Sequence, residues 1–270
     1  MNNGSIIVLI VLAVYIVIYV MQVRFFRLCA STIINNIVEF NSDMPDYDIV
    51  EDYNDYIVDK EFYKRAETIM KNEEIRFIGT IENKKLSSKK PEQKTCILHY
   101  FDDKNNVLIG IYSMKNLNYG KKGDFYPEYI NIYDMTTKTK EGQYYITTNA
   151  EMVSVFDVPE SFSNKILDLT ADFYDLYRVH LEHIKEIPYE DKMNIDNINE
   201  AIDLNMEMES KRLAFRQSIP YGVTKEEVHR LLMRSFSEKE SNIRIITGKV
   251  YREIAVIRKK QNKMELKMKN

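Results

Sequence analysis

TCILHYFDDKNNVLIGIYSM, residues 95–114, sets two apolar runs rich in β-branched and aromatic residues on either side of the polar turn DDKNN. Such runs fit a pleated, half-buried surface, and Asp and Asn supply local turn hydrogen bonds, so the stretch predicts two strands joined as a hairpin. Similar runs stand at 75–81 (IRFIGTI), 126–135 (YPEYINIYDM) and 143–148 (QYYITT). The segments between them, 83–94, 102–106, 116–124 and 136–142, have turn or charged composition. Successive strands with polar connections and no intervening helix predict an antiparallel meander of about five strands. The lysine-rich connection 84–94 reads as exposed and mobile, and the acidic stretch 46–59 as irregular.

Helical patterning flanks this sheet. Residues 60–71 form a short amphipathic pattern through Phe62, Ala66 and Ile69. Beyond Phe156 a helix is predicted over 171–186, capped by Thr170 and stopped before Pro188. Another spans 195–218 and ends before Pro220-Tyr221-Gly222. Thr224 and Glu227 then match a capping box that opens a helix over 225–236. The last helix, from about residue 241, repeats Ile243, Thr247, Val250, Ile254, Ile257, Gln261, Met264 and Met268 in alternating steps of four and three. That heptad seam suits packing on the protein's own core, pairing with another copy, or lying on a membrane.

The N-terminus differs in kind. SIIVLIVLAVYIVIYVMQV, residues 5–23, carries no charge. As a helix it would be roughly 28 Å long, close to the ~30 Å hydrocarbon core of a bilayer. A cleaved signal peptide is the competing reading. It fits less well, because the leading MNNGS lacks a basic residue, the apolar run exceeds an ordinary h-region, and no A-x-A pattern follows. A buried helix of a soluble protein is the other alternative. Arg24 and Arg27 on the C-terminal flank favour an outside N-terminus and a cytoplasmic bulk domain. Helical pattern continues through Phe26, Ile33, Ile37 and Phe40 as a stalk that Pro45 ends.

The organisation expected is therefore α+β. Residues 1–4 precede a transmembrane helix at 5–23, a helical stalk at 24–44, a globular domain with the antiparallel sheet at 45–190, and C-terminal helices at 191–270. A net charge of −3 argues against a nucleic-acid binder, and the eight glycines form neither GxGxxG nor GxxxxGK[ST]. Cys29 and Cys96 suggest neither a disulfide framework nor a zinc site, in keeping with a reducing compartment. Charge is distributed unevenly. Residues 39–61 sum to −8 and residues 249–270 to +6.

Chemistry-bearing patterns are sparse. His180 and His183, at helical i,i+3 spacing with Glu182 and Glu186 nearby, could offer two metal ligands, but no further His or Cys cluster supplies the rest, and surface or helix-packing histidines are the favoured reading. Cys96 and His99 are an odd number apart on a strand and point to opposite faces. Asp102, Asp103 and Asp134 sit at strand ends or turns, and turn chemistry accounts for the first two. Tyr126, Tyr129, Tyr133, Tyr144 and Tyr145 could form a tyrosine face for a partner, or simply pack on the sheet. Lys249, Arg252, Arg258, Lys259, Lys260 and Lys263 could touch anionic headgroups. No cofactor and no catalytic residue are assigned. The sequence predicts a single-pass membrane protein, held in the bilayer by 5–23, whose cytoplasmic domain is a tethered binding or scaffold module or a complex subunit. A protein partner or a second copy would meet its C-terminal helices. The alternative is a membrane-tethered hydrolase or metal-dependent enzyme.

Overall fold

A computed structural model describes residues 3–35, 44–116, 127–236 and 239–268, with backbone only at 3–13, 152–153, 265–266 and 268. The chain divides into two units, one of Met1–Asp43 with Leu213–Asn270 and one of Met44–Arg212.

The Met44–Arg212 unit is built on a sheet of seven strands in sequential order: β1 (Tyr47–Val50), β2 (Arg76–Asn83), β3 (Cys96–Asp102), β4 (Val107–Lys115), β5 (Tyr129–Lys138), β6 (Tyr144–Thr148) and β7 (Phe162–Ile166). The hairpin at 95–114 pairs as predicted, with Phe101 opposite Leu108 and Asp102 opposite Val107. Asp102 builds its turn by accepting from the backbone N–H groups of Lys104 (3.0 Å) and Asn105 (3.3 Å).

The expectation of about five strands in an all-antiparallel meander is corrected at both edges. β1 lies inside the supposedly irregular acidic stretch and pairs antiparallel with β2, Lys84 offsetting Asp48 at 2.8 Å. β7 pairs parallel with β6 after a 3-10 turn at Glu151–Val155. Short edge strands need partners rather than strong patterning of their own, so neither stands out in the chain. The 84–94 connection is also corrected. It forms α3 (Lys84–Lys89), capped by Asn83, and a 3-10 turn at Pro91–Gln93. The connection at 117–126, with Tyr126, lies outside the described residues.

Helices cover both faces of the sheet. On one, α2 (Lys60–Asn72) and α4 (Phe173–His183) pack Phe62, Tyr63, Met70, Phe173 and Leu176 onto Leu98, Ile109, Ile111 and Met135. Tyr63 ties α2 to the strands, donating to the Cys96 carbonyl at 2.6 Å and accepting from Ser113 N–H at 3.2 Å. On the other face, Ala201, Leu204 and Met208 of α5 (Ile198–Ser218) meet Phe101, Leu108, Tyr144 and Ile146. Period-two alternation divides β3 accordingly: Cys96 joins the first core, and His99 reaches Asn205 of α5 at 3.2 Å. Gly79, beside a bulge in β2, lets α5 approach, because a Cβ there would lie 2.8 Å from Ile198 Cγ1. The cap of α4 is Asp172, which accepts from Asp175 N–H at 2.9 Å, whereas Thr170 is engaged by Asp168.

The other unit consists of α1 (Asn3–Ile33), the end of α5, α6 (Lys225–Ser235) and α7 (Glu240–Met268). The predicted capping box opens α6: Thr224 accepts from Glu227 N–H and Glu227 accepts from Thr224 N–H. Glu227 is fully buried and its charge is offset by Arg216. The first half of the α7 seam, Ile243, Thr247, Val250 and Ile254, is buried where α7 packs with α1 and α6. Met264 is exposed. At its C-terminal end α1 buries Ala30, Ile33 and Ile34. The stalk expected from Phe25 to Phe40 is helical to Ile33, passes into a wider turn at Ile34 and Asn35, and lies outside the described residues from 36 to 43.

Candidate functional site

His180 and His183 rise from the last turns of α4 toward β5, β6 and β7. The His180 ring is fully buried, with Nε2 3.1 Å from Thr137 Oγ1 and Nδ1 3.0 Å from Thr147 Oγ1. Burial, aided by His183 and Lys192, pushes its pKa down to about 3, so it stays neutral. Both ring nitrogens are engaged by hydroxyls, and the two imidazole centroids are 6.3 Å apart at 88°. Among the described residues no group of three His, Cys, Asp or Glu side chains converges as a metal site.

His183 is placed differently. Its Nε2 lies 2.8 Å from the hydroxyl of Ser163 on the edge strand β7, and its pKa is lowered by burial and by Lys165. Tyr145 packs edge-on against the ring. His183 itself lines a groove of about 1200 Å³ shared with Lys165, Tyr174, Tyr177, Arg178 and Glu182. A neutral imidazole beside an exposed hydroxyl can take a proton from it, which is the first requirement of a serine nucleophile. The orienting member is missing among the described residues, where the buried His183 Nδ1 has no hydrogen-bond partner. The sequence did not point to Ser163, because only the unpredicted β7 brings it across to α4.

The aspartates do not converge. Asp102 accepts a 2.6 Å hydrogen bond from the Tyr177 hydroxyl on the α4 face of the sheet. Asp103 is exposed and salt-bridged to Arg76 at 2.7 Å. Asp134 points to the opposite face, where burial raises its pKa against hydrogen bonds from Thr148 and Tyr112. The tyrosine face is also corrected. Tyr133 packs between Phe62 and Phe173 in one core, while Tyr144 stacks on Phe162 in the other, because alternation sends them to opposite sides of the sheet. A second cavity, of about 310 Å³, lies beneath α5 between Phe101, Ile195, Leu204, Asp203 and the Lys138–Glu207 ion pair.

The surface with the clearest physical signature is α1. Its segment Val14–Ile33, with mean hydropathy 1.5, is the one helix among the described residues long and apolar enough to cross a membrane, or to serve as a signal sequence. All eight side chains from Val14 to Met21 are 43–68% exposed, so every face of the helix is open. Fully burying a large aliphatic side chain is worth about 1.5–3 kcal/mol, so leaving this stretch in water forgoes on the order of 10 kcal/mol. Just beyond it, Arg27 pairs with Glu253 of α7 at 3.3 Å, and the Lys249 ammonium sits 5.0 Å from the Phe26 ring centroid. Phe25 meets Phe236 edge-on at 6.0 Å. The basic helix α7 is thus packed on α1 directly after its apolar run. Lys249, Arg252, Lys259, Lys260 and Lys263 are exposed, whereas Arg258 is half-buried and donates to Gln261 at 3.2 Å.

No protein-family model matches this chain, and no curated protein or solved structure matches it either.

Proposed function

We propose that this protein is a single-pass membrane protein whose α1 anchors a cytoplasmic α+β unit, which acts as a tethered binding or scaffold module or as a subunit of a membrane complex. The observation that carries the reading is the exposure of Val14–Met21 on all faces. A helix of a soluble core would bury at least one stripe of such a run. Arg24 and Arg27 follow the run and support the cytoplasmic placement. Anchoring raises the local concentration of the mounted unit, so individually weak contacts become effective. Deleting residues 1–23 is expected to move the protein from the membrane fraction to the soluble fraction; continued sedimentation with membranes would refute α1 as the anchor. Lys89 is exposed, and Lys89→Cys reports the side. An impermeant thiol reagent should leave it unlabelled in intact cells.

A second reading, a membrane-tethered hydrolase, is favoured by the Ser163–His183 pair and the groove that His183 lines. It predicts covalent labelling by a fluorophosphonate that Ser163→Ala abolishes. Absence of labelling in the folded protein would remove this reading and leave the anchor untouched.

A further inference from the structure

At 100° per residue, Lys249, Arg252, Lys259, Lys260, Lys263 and Lys267 fall within about a 100° arc of α7. The buried positions Ile243, Thr247, Val250 and Ile254 occupy the other side of the helix. All six basic side chains are exposed, and none is ion-paired to a carboxylate among the described residues. Two apolar side chains share the arc, Ile245 at 62% and Val256 at 42% exposure. Lysines at 259, 263 and 267 stand at i,i+4 spacing, where like charges destabilise a helix. An ordinary solvated face intersperses both signs. This one concentrates a single sign on a helix that packs against the exit of the apolar run, through Phe26 and Arg27.

We propose that this face of α7 binds anionic lipid headgroups, with Val256 and Ile245 entering the interface between them. The inference rests on the anchor reading and deepens it, naming the surface against which the mounted unit is held. Its chemistry is complementary: an ammonium or guanidinium near an anionic bilayer strengthens binding about fivefold each, and exposed apolar side chains on the same face add to it. The overall charge of −3 disfavours nucleic acid as the occupant.

The chain contains no tryptophan, so Val256→Trp in the full-length protein gives a single indole, excited selectively over the tyrosines, at the centre of the arc. The variant is reconstituted with vesicles of phosphatidylcholine alone or with about a third phosphatidylserine, chosen to span neutral and strongly anionic surfaces. Flotation reports the anchor, and indole emission with quenching by brominated lipid reports α7. The expected result is flotation with both vesicles, with a blue shift and quenching only on the anionic ones. Half-molar salt, or Lys259→Glu/Lys260→Glu/Lys263→Glu, should reverse the shift. Flotation with both but identical emission overturns the proposal and leaves the anchor standing. Flotation and a blue shift on anionic vesicles only would support the α7 contact while refuting the anchor. A response to added RNA rather than to anionic lipid would overturn the proposal.

Discussion

β4 and residues 14–21 of α1 are made of nearly the same material and end in opposite surroundings. Val107, Leu108, Ile109 and Ile111 of β4 are buried between helices on both faces of the sheet. Val14, Ile16, Val17, Ile18 and Val20 of α1 are half or more exposed, or nearly so. The difference lies in what the neighbouring chain supplies. β4 is flanked by β3 and β5 and covered by α2 and α5, and each apolar side chain finds protein to replace water. Residues 14–21 have no such cover among the described residues, and lipid is the solvent that would supply it.

The comparison can be broken most severely with a charge. Ile111→Asp buries an unpaired carboxylate and is expected to abolish cooperative folding of the sheet unit, because such groups cost several kcal/mol or more. Ile18→Asp should leave the thermal melt of that unit unchanged and weaken membrane retention instead, by up to about 3–4 kcal/mol of insertion free energy. Circular-dichroism melts and membrane fractionation separate the two outcomes. Equal loss of folding from both would mean that α1 belongs to a protein core.

Acid probes the buried side of the contrast alone. Burial lowers His99 to about 4 and His180 to about 3, from an ordinary value of 6.5. The unfolded chain therefore binds more protons below pH 6.5, and the stability held by the neutral rings is complete above that pH. It is lost as pH falls toward the folded values, by about 1.4 kcal/mol per pH unit for each histidine. Denaturant titrations between pH 7 and 4.5 should show this slope, and His180→Asn should remove its share. Melting independent of pH across that window would contradict the burial of both rings.

Milder truncations sharpen the same comparison. Ile111→Ala should cost about 2–5 kcal/mol by leaving a cavity. Ile18→Ala should stay within about 0.5 kcal/mol in the same melt. The smallest effect falls on α4: Asp172→Ala removes its N-cap and should cost about 1 kcal/mol, while Thr170→Ala should cost less. A larger loss from Thr170 would restore it as the cap.

Much of this fold is legible in the chain where signals are local. The hairpin at 95–114, the capping box of Thr224 and Glu227, and the ends of α2 and α6 depend on residues within a few positions of one another. The edge strands resisted prediction because four or five residues of mixed composition become a strand only against a neighbour. β7 depends on β6, some fourteen residues earlier, through a parallel pairing that leaves no turn signature. The site followed the same division. His183 was visible as a residue type, but its partner Ser163 comes from β7, and the tyrosines suspected of forming one surface were divided by strand alternation between two cores.

The sequence by itself determined an uncharged helix of membrane-spanning length, the antiparallel heart of the sheet and the seam of α7. Each follows from a periodicity or a run that needs no distant partner to be recognised. Only the tertiary structure decided that residues 14–21 of α1 are exposed on every side, that His180 is locked between two threonine hydroxyls, and that six exposed basic residues of α7, none ion-paired among the described residues, share one arc, with Lys249 over the Phe26 ring. Exposure and partnership belong to pairs of segments far apart in the chain, and packing alone brings them together.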